Sequence, residues 1–262
     1  MNQEQTIAVS RRGGVMEICI TRPHVRNALD AACVRALSSA FAEAARDPAI
    51  RAVSLTGEGP VFCAGGDLKS IFKNHSPSEV LHFLDIEMRP LIRAIVMLDK
   101  PVLAVLNGPA AGAGISLVMA ADLVLASEEA SFIPAFGKIG AMPDSGALYF
   151  LAHRVGMTRA KEIVLLNKTL AAQEATDIGL YNWTVPAAEL TSQAQKIADQ
   201  LADGPTVAHS LAKKALRDAL RMPFDAFMDV EALSMAFLIT TEDQKEGLKA
   251  FGEKRPPKFQ GR

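Results

Sequence analysis

Cysteine is scarce. The chain has three, Cys19, Cys33 and Cys63, an odd number with no C-x-x-C spacing. That excludes a disulfide framework and points to reduced thiols in a reducing compartment. Net charge is also missing: 28 basic side chains stand against 29 acidic ones, for a formal charge of −1. No global field draws the protein to nucleic acid or to an anionic membrane, so an anionic ligand has to be held locally. No apolar run reaches membrane-spanning length, and the N-terminal Met-Asn-Gln-Glu-Gln carries no apolar signal core, so a cytoplasmic protein is expected. Neither Ser116 nor Ser145 has the G-x-S-x-G of a serine hydrolase. Gly112-x-Gly114 lacks the third glycine of a dinucleotide fingerprint, that place being Leu117.

What is present is a globular composition, 49% hydrophobic and 22% charged, long enough for a large core. Two apolar segments around Arg11-Arg12-Gly13-Gly14 read as a hairpin. Val34, Leu37, Ala40, Phe41 and Ala44 recur at helical spacing, and Ala52 to Thr56 is a short buried strand. The stretch from Ile71 to His82 loses periodicity and is expected to be mobile, before a helix over Phe83 to Leu98. Lys100 to Leu106 is an apolar strand and Leu123 to Ala126 another. Ser145-Gly146 starts a helix through Leu151. Helices over Ala160–Leu166, Ala171–Ile178 and Leu190–Leu201 surround a strand near Asn182 to Val185, and amphipathic helices follow from Thr206. No low-complexity linker intervenes. The expectation is an α/β fold in one domain, residues 1–262, with a core over 1–202 and a helical C-terminal part over 203–262.

Two turns are too crowded for side chains, Ala64-Gly65-Gly66 and Gly112-Ala113-Gly114, and each leads into a helix. Small residues there serve close packing, or they leave backbone N–H groups bare to hold an oxygen that carries negative charge. Asp67 is placed to cap its helix. Cys63 lies beside the first turn, but no histidine is positioned by sequence to activate it as a nucleophile.

Phe62-Cys-Ala-Gly-Gly-Asp67-Leu-Lys, Lys100-Pro-Val-Leu-Ala-Val-Leu-Asn-Gly108 with Ala111-Gly-Ala-Gly114, the Ala121-Asp122 pair and Phe251-Gly-Glu-Lys-Arg255 together resemble the crotonase, or enoyl-CoA hydratase/isomerase, superfamily. The resemblance covers essentially the whole chain. It implies a spiral of ββα turns with a helical trimerisation region, acting on acyl-CoA thioesters as a homotrimer or dimer of trimers. It implies no metal, and no cofactor beyond the coenzyme A that is part of the substrate. By matching motifs, Gly66 and Ala113 supply the oxyanion-hole N–H groups. Arg26, Ala28, Ala64, Asp67, Leu68, Lys69 and Gly112 fall at substrate-binding positions, and Phe251 and Lys254 fall where a C-terminal segment closes on the nucleotide end. Arg26 and Lys69 also fit an ordinary solvated surface.

The two acid/base glutamates of the hydratase branch align with Ser116 and Phe136. Phenylalanine moves no proton, and no glutamate lies between Glu87 and Glu128. Asp144, within Ile139-Gly-Ala-Met-Pro-Asp-Ser-Gly146, stands where isomerase branches carry a carboxylate. Ala135 to Gly146 is most similar to the ring-epoxide isomerases of phenylacetyl-CoA breakdown and to Δ3,Δ2-enoyl-CoA isomerases. Flanked by Phe136, Ile139 and Met142, a buried Asp144 would have its pKa raised toward a range useful for proton shuttling. Its alternative role is a helix cap over Ser145-Gly146. Ser116 is expected to orient substrate or a water. The resemblance thus implies an isomerase moving a double bond with Asp144 as acid and base. Alternatives are a non-catalytic acyl-CoA-binding protein, which has no need of a carboxylate aimed into the acyl pocket, and a hydratase-like enzyme with a different base. An RNA-binding role, known in one branch, lacks a basic stripe.

Overall fold

Gly13, at φ 57°, closes the two-residue turn between β1 (Ile7–Arg12) and β2 (Val15–Ile20), and the antiparallel register Arg12↔Val15 follows from it. The computed structural model describes residues 5–71 and 76–262. After the hairpin come α1 (Ala31–Arg46), whose first turn is capped by Asp30 accepting the Cys33 N–H at 2.8 Å, and β3 (Ala52–Gly57). Beyond α2 (Leu68–Ile71), helix α3 (Pro77–His82) runs into a π segment (Phe83–Met88) and then α4 (Arg89–Val96).

Three successive turns of chain then repeat one plan. A long strand, a short corner, a short strand and a helix follow each other in β4 (Val102–Leu106), β5 (Ala110–Ala111) and α5 (Ala113–Ala120). The plan recurs in β6 (Leu123–Ser127), β7 (Ser131–Ile133) and α6 (Ala147–Leu165). It recurs in reduced form in β3, Cys63 and α2, where a single bridge, Cys63↔Ala110, replaces the short strand. The long strands form one six-stranded sheet, β1-β2-β3-β4-β6-β9, parallel from β2 onward, with β9 at Trp183–Val185. The short strands form a second sheet with β8 (Leu170–Ala171), so Cys63, Ala110, Phe132 and Leu170 stack in one buried ladder.

The large sheet is covered on both faces. Along β4, Val102, Ala104 and Leu106 enter the main core, while Leu103 and Val105 enter a smaller one. The strand is therefore apolar throughout instead of alternating. The smaller core is filled by α8 (Leu190–Asp203) through Leu190, Ala194, Ile197, Ala198, Leu201 and Ala202, a helical stripe. The remaining elements are α7 (Ala172–Asp177), α9 (Thr206–Asp218), α10 (Phe224–Leu238) and α11 (Glu242–Gly252).

Two expectations are corrected. Helix begins at Pro77, inside the stretch read as mobile, because a proline at the first helical position lacks only an N–H that no helix would satisfy. Residues 72–75 of that stretch lie outside the described residues. The helices expected to end at Leu151 and to begin at Ala160 are two, but each runs further than read: they meet at a kink at Gly156, where φ 75° and ψ 162° are not helical.

Lys213 of α9 reaches under the sheet. Its Nζ donates to Asp122 Oδ2 at 2.7 Å and to the carbonyls of Ile95 and Lys100 at 3.3 and 3.2 Å, while Asp122 also accepts the Val102 N–H. Burial raises the Asp122 pKa and lowers that of Lys213, against their mutual attraction. Lys213→Met is expected to strand the Asp122 carboxylate and cost about 3–5 kcal/mol in urea denaturation. Among the described residues, no helix is long and apolar enough to cross a membrane.

Candidate active site

The two small-residue turns meet. Gly65 at φ 99° and Gly112 at φ 50° occupy backbone space that side chains avoid. A Cβ on Gly65 would lie 2.8 Å from the Ala111 carbonyl oxygen and 3.1 Å from the Ala113 nitrogen. A Cβ on Gly114 would lie 2.5 Å from the Cys63 carbonyl oxygen. Close packing therefore requires the small residues. The same packing also brings Gly66 and Ala113 into the wall of one cavity. Among the described residues no acceptor takes the N–H of either, and Ala113 is the first residue of α5, at the positive end of its dipole. The close packing of the turns thus coexists with two N–H groups that have no acceptor among the described residues.

Asp144 forms another part of that wall. Its side chain caps no helix: the residue before α6 is Gly146, and the Ala147 N–H bonds the Asp144 carbonyl instead, at 2.9 Å. Two consecutive left-handed residues, Ser145 at φ 51° and Gly146 at φ 83°, turn the chain here. Among the described residues, Asp144 Oδ1 is buried with no hydrogen-bond partner. Burial pushes its pKa above the ordinary carboxylate value, and the neighbouring Ser145 hydroxyl offsets part of the rise.

The remaining wall is apolar. The cavity, about 140 Å³, is lined by Leu68, Ile71, Val80, Phe83, Leu84, Met88, Phe136 and Ile139, with Ala64, Gly112, Ala135 and Ala141 completing it. Val80, Phe83, Leu84 and Met88 are absent from the sequence-derived site. Their spacing of three, four and eight residues is that of one helical stripe, and Phe83, Leu84 and Met88 fall in the helix expected from Phe83, but nothing in the sequence says which way that stripe faces. The π turn, with the Arg89 N–H reaching the Leu84 carbonyl, belongs to the same wall.

Other expected site residues are placed as follows. Ala64, Leu68, Gly112 and Phe136 line the cavity. Arg26 and Lys69 are exposed and, among the described residues, in no ion pair. The Arg26 carbonyl accepts the Ala64 N–H, which sets Arg26 beside the cavity's edge. Asp67 accepts the Ser70 N–H as a cap for α2. Ala28 is buried, with its carbonyl bonded by the Arg22 guanidinium, and does not line the cavity. Met142 is 68% exposed and outside the lining, so it does not flank Asp144 as expected; the loop turns it outward. Ser116 is fully buried, and its hydroxyl donates to the Asp144 carbonyl at 3.1 Å instead of facing the cavity. Phe251, 85% exposed, and Lys254 lie at the end of α11, away from the lining.

Asn27 is a supporting residue that the sequence reading passed over. Fully buried at φ 58°, it donates to the Glu58 and Val61 carbonyls and accepts the Arg22 N–H, pinning the loop before Cys63. Cys63 itself is buried, and burial pushes its thiol up to about 12. In the native protein at neutral pH it is expected to resist a thiol reagent that labels all three cysteines after denaturation.

A stack of ββα turns whose helix starts surround an apolar cavity defines the crotonase fold. The chain belongs to the enoyl-CoA hydratase/isomerase family, whose model matches residues 10–262. It is 39% identical over 260 residues, 98% of each chain, to a Rhodobacter capsulatus protein named "Probable enoyl-CoA hydratase". It is 34% identical over 253 residues to the Escherichia coli 1,2-epoxyphenylacetyl-CoA isomerase, covering 95% of this chain and 96% of that one. Among solved structures, Bacillus anthracis enoyl-CoA hydratase matches with a TM-score of 0.94 at 32% identity, over 98% of this chain and all of the other.

Proposed function

We propose that this protein is an acyl-CoA isomerase that shifts a carbon–carbon double bond by proton transfer. The reading rests on one observation: Asp144, with its buried and unpartnered Oδ1, shares a cavity with the two untaken N–H groups of Gly66 and Ala113. With the thioester carbonyl at those donors, Asp144 takes a proton from the α carbon. The electron pair moves onto the carbonyl oxygen as a dienolate, which the donors stabilise. The proton returns at the γ carbon, the double bond moves into conjugation, and the carboxylate is regenerated.

Asp144 in the cavity wall favours an enzyme over a non-catalytic acyl-CoA binder. Hydration by two glutamates has less support, because Phe136 is in the wall, Ser116 is committed to the Asp144 carbonyl, and Glu128 and Glu129 are exposed in a turn. A 3-enoyl-CoA incubated in D2O tests the reading. Conjugated 2-enoyl-CoA is the expected product, its new γ hydrogen being the one taken from the α carbon, with deuterium entering only where Asp144 exchanges before returning it; recovery of unchanged 3-enoyl-CoA would refute the reading.

Coenzyme A enters as part of the substrate, and no separate cofactor is proposed. Arg26 and Lys69 would meet its phosphates as exposed charges. Arg26→Ala and Lys69→Ala are each expected to raise KM severalfold with kcat unchanged, an effect that shrinks as salt is added. Helix α10 buries none of its residues, and Leu216, Leu220, Phe224, Leu233 and Ile239 are exposed on and around it. That apolar surface supports assembly as a homotrimer or dimer of trimers, which sedimentation would measure.

A further inference from the structure

Ser116 stands where the hydratase branch carries a glutamate, yet its side chain never reaches the cavity. It is fully buried on α5, three residues after Ala113, and donates its hydroxyl to the Asp144 carbonyl at 3.1 Å across 28 residues of sequence. Three residues along a helix are about 4.5 Å of axial rise on nearly the same face. The helix whose first N–H is a proposed oxyanion donor is therefore hydrogen-bonded, one turn further on, to the residue proposed as base. The Asp144 carbonyl has a second donor in Ala147 N–H at 2.9 Å, and the two bonds together orient the peptide that follows Asp144. That peptide leads into the left-handed pair Ser145 and Gly146, where a serine at φ 51° is held against its own backbone preference. Of the carboxylate, Oδ1 is without a partner among the described residues, and the neighbouring Ser145 hydroxyl is the group that favours its ionised form.

From this geometry we infer that Ser116 is a positioning residue: it sets the distance between the base and the oxyanion donors by tying the Asp144 backbone to α5. The inference rests on Asp144 being the base. A proton taken from the α carbon and a charge received on the adjacent carbonyl oxygen need both groups in register at once, and a single hydroxyl joins the elements that carry them.

Ser116→Ala is expected to lower kcat for 3-enoyl-CoA isomerisation by about 10- to 100-fold, with KM within about twofold, because the base is displaced while the binding surfaces stay. Ser116→Thr keeps the hydroxyl and is expected to recover most of kcat. Thermal melts of each variant separate positioning from loss of fold; if Ser116→Ala does not fold, Ser116→Cys, similar in size and a weaker donor, is expected to show the same split. A folded Ser116→Ala with wild-type kcat, a loss that falls on KM alone, or a folded Ser116→Thr no better than alanine would overturn the inference. Asp144→Asn measured alongside keeps the two ideas apart. An inactive Asp144→Asn with an unimpaired Ser116→Ala removes the tie and leaves the base; an active Asp144→Asn removes the base, and with it the purpose of the tie.

Discussion

Asp144→Asn is expected to lower isomerisation of a 3-enoyl-CoA by about 10²- to 10⁴-fold, the usual contribution of a positioned acid/base group, while acyl-CoA affinity changes little. The amide has nearly the carboxylate's shape and lines the cavity in its place, so binding surfaces persist while the proton acceptor is lost. Steady-state turnover and equilibrium binding of a non-isomerisable acyl-CoA measure the two effects separately. Wild-type turnover in the variant would end the assignment. The same substitution has a signed effect on stability. The Asp144 pKa is raised in the fold, so folding disfavours its ionised form; the penalty is absent below the unfolded-state pKa and is fully present once pH exceeds the folded value. At neutral pH the asparagine variant is therefore expected to melt at a higher temperature than wild type, with the gain vanishing in acid. In the wild-type enzyme the base must be ionised, so kcat/KM is expected to fall on acidification at a pH above the ordinary range of an aspartate.

Gly114→Ala is expected to disable the same reaction from the other side. Its Cβ would meet the Cys63 carbonyl oxygen at 2.5 Å and the Cys63 Sγ at 3.1 Å. A backbone oxygen held in the buried ladder cannot move aside without parting the two donor loops. Loss of one donor of this kind lowers turnover by about 10²- to 10³-fold, and overpacking adds a stability cost of about 1–3 kcal/mol. Gly66→Ala supplies the contrast. Among the described residues its Cβ would meet only Ile71 Cδ1, at 2.8 Å, the far end of a flexible side chain that can rotate away. That variant is expected to fold as wild type and to keep its donor N–H, with the change confined to the acyl cavity and visible in KM. Equal damage from both substitutions would show that the turns matter only as packing.

The contrast shows which parts of this molecule were legible in its sequence. The elements came through where the signal is local: Gly13-Gly14 closing the hairpin, the spacing of Val34, Leu37, Ala40, Phe41 and Ala44 in α1, the apolar run of β4, and the small-residue turns at helix starts. Where one residue type carries two meanings, the reading went astray. Pro77 starts a helix inside a stretch read as aperiodic, and the two helices read as ending at Leu151 and beginning at Ala160 extend to a kink at Gly156.

Family membership followed from motifs spread over the chain, among them the turns at Gly65 and Gly114, where an added Cβ would meet backbone oxygen at 2.8 and 2.5 Å. The cavity wall was less accessible. Val80, Phe83, Leu84 and Met88 face it only because the π turn and α4 pack against the spiral, and Met142, two residues from Asp144, turns out to solvent. The sequence by itself determined that two bare helix starts exist, and its resemblance to the family implied that the hydratase glutamates are absent and that Asp144 is the available carboxylate. Only the tertiary structure decided that Asp144 caps nothing and lines the cavity, and that the Ser116 hydroxyl bonds the Asp144 carbonyl and stays out of the cavity wall. Both outcomes depend on contacts between residues far apart in the chain, and spacing along a sequence carries no record of where a side chain points once the turns are stacked.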